Sequence, residues 1–262
     1  MKSPGPGDIG WGLGMPFRII SYNMHRAIGV DRRFRPERIA RIIAHHDPDI
    51  VLLQEVDVGV PRSQNLNLAE EMATRLGYPY FALGLNVTLK KGHYGNATLS
   101  RFPIVAERNI DLTMPFRKAR GCLYTSLMLE GGPGSAKKLA IFNLHLGLSF
   151  KERPRQIGLL VRTEEFSSLT KEDPCIVAGD FNDWWTRLAP MFTEIMGFDC
   201  ATNHRLGYQN AFLTYPSFSP TGGLDKIFSR GRLRVLKGRR CRLPVARVAS
   251  DHLPVIADLQ FR

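Results

Sequence analysis

The sequence lacks two patterns that mark large classes of protein. No apolar run approaches the roughly 18 residues that a membrane-spanning helix needs, and none of the four cysteines belongs to a C-x-x-C pair. The first absence excludes a spanning helix, and the second argues against a zinc knuckle or a redox motif. Cys122 and Cys175 lie in apolar, strand-like runs. We expect them to be small buried hydrophobes in the reducing compartment of the cytoplasm.

Acidic residues are scarce relative to basic ones. The 262 residues include 24 Asp and Glu but 36 Lys and Arg, a formal net charge of +12. This excess indicates an anionic partner: nucleic acid, a lipid surface or a phosphorylated substrate. Nine of the cations lie between Lys226 and Arg247, a segment without acidic residues. We interpret it as an anion-attracting flank of a functional site; the alternative is a solvated edge strand that Arg protects from pairing.

The chain reads as one domain behind a short leader. With 44% apolar and 23% charged residues the composition is globular, and a chain of this length buries enough surface to fold without disulfides. Residues 1–15 are rich in Gly and Pro and carry no signal-peptide pattern. We predict a disordered leader over 1–15, a single domain over 16–262 and a loop over 131–135, with Met15 as a second candidate for the start codon.

Short apolar strands alternate with amphipathic helices and with adjacent hairpins. This mixture predicts an α/β domain of two layered sheets. The strands are predicted at Phe17 to Tyr22, Ile50 to Gln54, Cys122 to Leu129, Leu139 to Leu144, Cys175 to Ala178 and Val255 to Leu259. The helices are predicted at Pro36 to His46, Ala69 to Leu76 and Pro154 to Leu169, from apolar residues three and four apart.

Polar pairs follow the ends of four predicted strands. Residues two apart on an extended segment point to the same side, so each pair should project together, and buried polar groups need partners. Five such groups at strand ends suggest one shared site. They are Asn23 and His25, Glu55 and Asp57, Asn143 and His145, Asp180 and Asn182, and, before the last strand, Asp251 and His252.

The residue types narrow the chemistry. The carboxylates are hard oxygen ligands and no Cys/His cluster favours zinc, so Mg²⁺ or Mn²⁺ is the natural ion. His145 and His252 can donate or move protons near neutral pH. Asn23, Asn143 and Asn182 can hold phosphoryl oxygens or waters. Together these groups suit the attack of water on phosphorus.

The motifs resemble, in order, those of the endonuclease/exonuclease/phosphatase superfamily, from about Met15 to the C-terminus. The resemblance implies a four-layer sandwich, two packed mixed β-sheets flanked by helices, with the site at one edge. The motifs are Ser-Tyr-Asn23-Met-His25, Gln-Glu55-Val-Asp57, Tyr94-Gly-Asn96, Asn143-Leu-His145, Gly-Asp180-Phe-Asn182, Leu-Asp225-Lys and Ser-Asp251-His252.

Carried over position by position, the resemblance implies a role for most of these residues. Glu55 would be the main metal ligand, helped by Asn23 and Asp251, and Asp180 would orient or deprotonate the attacking water. Asn182 would hold that water and a phosphoryl oxygen. His252, aligned by Asp251 or Asp225, would contact the phosphate, and His145 would hydrogen-bond the phosphate or protonate the leaving oxygen. Phosphate contacts are further expected from Asn143, Tyr94, Asn96, Arg120 and His25, and supporting roles from Asp225 and Asp57.

The expected function is a Mg²⁺- or Mn²⁺-dependent phosphodiesterase that uses in-line attack of water. The substrate stays open between nucleic acid and a phospholipid head group, and a soluble inositol polyphosphate is disfavoured because Gly223-Leu224-Asp225-Lys226 replaces a run typical of those phosphatases. We expect a cytoplasmic monomer, with attachment to the inner face of the membrane left open. The alternative is a non-catalytic phosphate- or nucleic-acid-binding module, which should have lost Glu55, Asp180 or His252.

Overall fold

The structure, a computed structural model, describes residues 16–129, 137–203 and 211–262. The predicted leader over 1–15 and the predicted loop over 131–135 lie outside these ranges. Within them no helix has the length and apolar character needed to cross a membrane.

Twelve strands of the described chain form two mixed sheets of six. The first has the order β11-β12-β1-β2-β4-β3 and the second the order β5-β6-β7-β8-β10-β9. The strands are β1 (Pro16–Asn23), β2 (Ile50–Val58), β3 (Tyr80–Thr88), β4 (His93–Ser100), β5 (Ile104–Asp111), β6 (Gly121–Leu129), β7 (Lys137–His145), β8 (Cys175–Asp180), β9 (Asp199–Cys200), β10 (Asp225–Arg230), β11 (Leu233–Arg240) and β12 (Val255–Phe261). The α-helices are α1 (Pro36–His46), α2 (Leu68–Leu76), α3 (Glu152–Leu160), α4 (Glu164–Ser167) and α5 (Ala246–Ala249).

Side chains alternate between the two faces of each central strand, and this alternation explains why the sheets have packed layers on both sides. Ile19 and Leu52 belong to the core between the two sheets, whereas their neighbours Ile20 and Val51 pack among residues of α1 and α2. Successive side chains of a strand point to opposite faces, so a strand buried on both faces is apolar throughout. The second sheet also packs against helices: a separate core joins its strands to α3 and α4. The predicted four-layer α/β sandwich is thereby confirmed.

One predicted helix is divided in two. The apolar spacing predicts a single helix from Pro154 to Leu169, but α3 ends at Leu160 and α4 begins at Glu164. Thr163, which precedes α4, is extended (ψ 151°), and its hydroxyl donates to the carbonyl of Leu160 at 2.8 Å. A threonine that caps the preceding turn in this way competes with helix continuation.

Strand directions bring the polar strand ends to one edge. β1 runs parallel to β2, and β7 runs parallel to β8, which places His145 beside Asp180. β10 is antiparallel to β8 and begins where β8 ends, so Asp225 pairs with Asp180. Because β12 is antiparallel to β1, the residues that precede it also lie at this edge.

Candidate active site at the sandwich edge

Asp180 is the centre of the site. Its Oδ2 accepts a hydrogen bond from the side-chain amide of Asn23 at 3.1 Å and lies 3.4 Å from Nε2 of His145 and 3.7 Å from Nε2 of His252. Its Oδ1 accepts from the backbone N–H of Asn182 at 2.9 Å. The side chain is buried, and burial raises the pKa of Asp180 to about 6, against the opposing effect of His252.

His252 is held as a cation by the carboxylates around it. Its Nδ1 lies 2.9 Å from Oδ2 of Asp225, which is fully buried. Burial opposes the charge, but Asp225 and Asp180 outweigh it and raise the pKa of His252 to about 10. Of the two aspartates expected to align this ring, the structure therefore selects Asp225. Nε2 of the ring faces Asp180 and carries the second proton.

His145 has the opposite electrostatic surroundings. Burial and the neighbouring Arg120 lower the pKa of His145 well below its ordinary value. Nη1 of Arg120 lies 2.9 Å from Nε2 of the ring. A guanidinium can only donate, so Nε2 accepts and the neutral ring carries its proton on Nδ1. Two buried histidines near one carboxylate thus have different charges at neutral pH.

Glu55 lies at an irregularity of β2. The pairing with β4 shifts between Leu53 and Val56, and Glu55 has a left-handed backbone (φ 59°) that is uncommon outside glycine. Its Oε2 lies 3.5 Å from Nε of Arg26, and its Oε1 accepts from the side-chain amide of Asn23 at 3.5 Å. Burial opposes ionisation, but His145 and Arg26 bring the pKa of Glu55 down to about 2.

Asn182 and Asp251 border this centre. Asn182 has a left-handed backbone (φ 51°), and its side-chain amide donates to the carbonyl of Leu146 at 2.9 Å. Asp251 is half-buried, and its Oδ1 lies 3.9 Å from Nδ1 of His25. That same Nδ1 donates to the carbonyl of Ile28 at 2.8 Å. His25 and Asp251 therefore line the outer side of the site.

Asn143 and Asn96, from which phosphate contacts were predicted, form their hydrogen bonds inside the sandwich. The amide of Asn143 donates to the carbonyls of Leu53 and Ala97 at 3.1 and 2.9 Å, and that of Asn96 donates to the carbonyls of Gly121 and Asn143 at 3.2 and 3.0 Å. Both hydrogens of each amide are thus used. We assign these asparagines to joining the two sheets, in place of the phosphate contact expected from the sequence.

Tyr94 and Asp57 lie beside the site in supporting positions. Burial and the nearby carboxylate of Glu55 raise the pKa of the Tyr94 hydroxyl. Asp57 is fully buried and accepts two hydrogen bonds from Arg62, both at 2.8 Å. The irregularity at Glu55 breaks the two-residue alternation, so Asp57 does not share the surroundings of Glu55. It instead holds Arg62, whose guanidinium lies 5.9 Å from the Tyr94 ring centroid.

The donor set around Glu55 fits a hard divalent cation. Glu55 is ionised at every physiological pH, and the cation Arg26 already lies against it. Carboxylate and amide oxygens are what Mg²⁺ and Mn²⁺ prefer. Glu55, Asn23 and Asp251 could hold such an ion. Asp180, Asp225 and His252 also place ligand atoms within 4.8 Å of one another, and an ion held there would displace a proton from His252.

Several cations of the basic segment from Lys226 to Arg247 are engaged in contacts other than those of the site. Lys226 is fully buried and donates to the backbone carbonyls of Asp183 and Gly223. Arg239 pairs with Asp258 at 2.6 Å. Other cations of the segment line a cavity of about 830 Å³ that contains none of the site residues above. That cavity is lined by His45, His46, Phe212, Leu213, Lys237, Gly238, Arg239, Arg240, Arg242 and Leu243.

Sequence reasoning missed two neighbours of the site. Arg26, beside Glu55, stands between the polar pair Asn23 and His25 and the next helix, and its position next to that pair was the available signal. The ring of Tyr215 lies 4.9 Å from the His252 ring, centroid to centroid. Tyr215 has no motif around it, and only the fold brings it to His252.

Comparisons with known proteins agree with this architecture. The family model described as Endonuclease/Exonuclease/phosphatase family matches residues 20–252. The "Uncharacterized protein YbhP" of Escherichia coli K12 is 29% identical over 259 residues, which cover 94% of this chain and 96% of that protein.

Two solved structures share the fold. An endonuclease/exonuclease/phosphatase from Beutenbergia cavernae superposes with a TM-score of 0.74 at 21% identity, over 94% of this chain and 72% of that one. The human Nocturnin catalytic domain, solved with a bound sulfate anion, has a TM-score of 0.73 at 20% identity over 94% of this chain and 95% of that one. With a family match that spans the described site, the chain belongs to the Endonuclease/Exonuclease/phosphatase family.

Proposed function

We propose that this protein is a divalent-metal-dependent phosphodiesterase in which Asp180 activates the attacking water. The observation that carries the proposal is the convergence on Asp180 of two buried histidines held in different protonation states. Titratable pairs whose pKa values are driven apart are the usual mark of an acid–base site. A binding module has no need for such an arrangement.

Asp180 has the properties of a general base. With a pKa of about 6 it is ionised at neutral pH yet basic enough to accept a proton from water. Asn23 and the backbone N–H of Asn182 fix both of its oxygens, so the carboxylate is aimed before substrate arrives. As the water oxygen bonds to phosphorus, its proton passes to Asp180 and the bond to the leaving oxygen breaks with the electron pair on that oxygen.

His252 and Arg120 supply positive charge to the phosphoryl group. Asp225 holds the cationic ring of His252 by Nδ1, so Nε2–H is directed toward the centre, where it can donate to a phosphoryl oxygen. Arg120 is buried, and its Nη1 is fixed by His145. These fixed donors stabilise the charge that develops on phosphorus at no cost of reorganisation. In this assignment the neutral His145 positions Arg120.

The metal site proposed for Glu55, Asn23 and Asp251 completes the reaction centre. An ion bound there would polarise a phosphoryl oxygen as a Lewis acid. We favour a diester over a monoester as substrate because Arg26 and Arg62 are already paired with Glu55 and Asp57. That pairing leaves little cationic surplus for a dianion.

Hydrolysis of bis-p-nitrophenyl phosphate with Mg²⁺ or Mn²⁺ tests the proposal, with p-nitrophenyl phosphate as the monoester comparison. We expect faster turnover of the diester and a loss of at least about 100-fold in Asp180→Asn. Asp199→Asn is the matched control because Asp199 is an exposed aspartate outside the site, and it should keep wild-type activity. Absence of metal-dependent hydrolysis, or survival of activity in Asp180→Asn, would refute the proposal.

A further inference from the structure

Four loops at the edge of the sandwich surround the candidate active site. Loop 112–120 ends at Arg120, loop 146–151 follows His145, and loop 183–188 follows Asn182. Loop 213–224 leads into Asp225. The last two loops touch each other, since the rings of Trp184 and Tyr215 lie 5.5 Å apart.

The four loops expose large apolar side chains at their tips. Phe116 is fully exposed (107%), Leu148 is 74% exposed and Trp185 is 72% exposed. Phe150 and Phe218 are also exposed. We call this set of five, spread over all four loops, the aromatic rim. Exposed apolar groups gathered at one end of a molecule usually mark an interaction surface.

Cations accompany the rim and exposed acids are missing from it. Arg187 lies 5.5 Å from the Trp185 ring and Lys151 lies 5.8 Å from the Phe150 ring. Arg117 and Lys118 directly follow Phe116. The only acidic residue in the four loops is Asp183, which is fully buried. The rim is therefore complementary to a surface that is both apolar and anionic.

We propose that the aromatic rim docks on an anionic lipid bilayer and presents the site to the phosphodiester of a lipid head group. Aromatic side chains with adjacent Lys or Arg are the residues that favour the membrane–water interface. The substrate assignment rests on the proposed phosphodiesterase function. The docking of the rim on the bilayer is independent of that function.

Single-stranded nucleic acid fits the same surface less well. Bases stack on aromatic faces along a continuous basic groove, but Leu148 offers no such face. Four of the nine cations between Lys226 and Arg247 line a cavity that contains no site residue: Lys237, Arg239, Arg240 and Arg242. Apolar tips on separate loops suit shallow insertion into lipid better than contact with one strand.

Flotation with lipid vesicles tests the docking. The wild-type chain should float with vesicles of phosphatidylcholine and phosphatidylglycerol, and much less with phosphatidylcholine alone. Phe116→Ser and Trp185→Ser should each weaken vesicle binding about tenfold, and Arg117→Ser about fivefold on the anionic vesicles only. These side chains are exposed, so their replacement removes little packing.

Val105→Ser is the matched control. Val105 is exposed (48%) but lies near the start of β5, at the other end of the strand from loop 112–120. It should float like the wild type. Equal loss of flotation in this variant, or no loss in the rim variants, would overturn the proposal. Binding of a single-stranded oligonucleotide that depends on Phe116 and Trp185, without flotation, would assign the rim to nucleic acid instead.

Activity separates this inference from the proposed function. The ratio of phospholipid hydrolysis on vesicles to bis-p-nitrophenyl phosphate hydrolysis should fall at least about tenfold in Phe116→Ser and Trp185→Ser and stay unchanged in Val105→Ser. Hydrolysis of the soluble diester by a wild-type chain that does not float would overturn the docking and leave the phosphodiesterase standing. Flotation without hydrolysis of either substrate would support the docking and refute the phosphodiesterase function.

Discussion

Replacing Asp180 by Asn should stabilise the folded chain above about pH 6 while it removes activity. Burial raises the pKa of Asp180 from 3.8 to about 6, so the folded state resists its ionisation. A shift of about two units corresponds to roughly 3 kcal/mol. This net shift already contains the opposing effect of His252, which lies 3.7 Å away. We therefore expect a net stabilisation of about 2–3 kcal/mol at pH 8.

The difference in stability between Asp180→Asn and the wild type should develop over a defined pH range. Below about pH 4 Asp180 is protonated in both the folded and the unfolded chain, so the variant and the wild type should be equally stable. Between about pH 4 and pH 6 the carboxyl ionises in the unfolded chain first, and the wild type loses stability relative to the variant. Above the folded pKa of about 6 the difference in unfolding free energy should stay constant.

Urea unfolding followed by tryptophan fluorescence across this pH range measures the difference. Asp199→Asn, an exposed aspartate outside the site, should show no such pH-dependent gain. The reasoning is refuted if Asp180→Asn is less stable than the wild type at pH 8, or if the difference does not change with pH. Either result would mean that Asn23, Asn182 and His252 stabilise the ionised form by more than burial costs.

Three further substitutions test other parts of the site. Asp225→Asn removes the largest influence that raises the pKa of His252, so the alkaline limb of the pH–rate profile should move down by at least about one pH unit. Glu55→Gln removes the charge of the main proposed ligand and should weaken Mn²⁺ binding at least about tenfold, measured by calorimetry without substrate. Asn143→Ala leaves two buried backbone carbonyls without donors; it should cost about 2–4 kcal/mol in urea unfolding while kcat stays within about twofold.

The local pattern of the sequence was enough to predict the layers and most of the residues that the structure brings together at the candidate site. Apolar runs buried on both faces predict central strands, and polar residues that directly follow them predict a shared edge. His145, Asp180 and Asn23 meet at that edge because parallel strand pairs end together. The family resemblance rested on the same strand-end motifs, and the match over residues 20–252 agrees with it.

Features that depend on pairing with distant strands could not be predicted. The register shift in β2 separates Glu55 from Asp57, and it arises from pairing with β4, which a two-residue alternation does not reveal. Asn143 finds its carbonyl partners on the other sheet, 46 and 90 residues away. Its position after an apolar run suggested a site residue, but sheet packing makes it a cross-link.

The sequence by itself determined which residues could be buried, charged or reactive, because those are properties of side chains and their local spacing. Tertiary structure alone decided between Asp251 and Asp225 as the partner of His252, since the pairing of β10 with β8 places Asp225 opposite Asp180. It also placed four cations of the basic segment along a cavity that contains no site residue, and it left Phe116 and Trp185 exposed on loops around the site. Burial and charge act through space, so the pKa values and the rim exist only once distant strands and loops have been brought together.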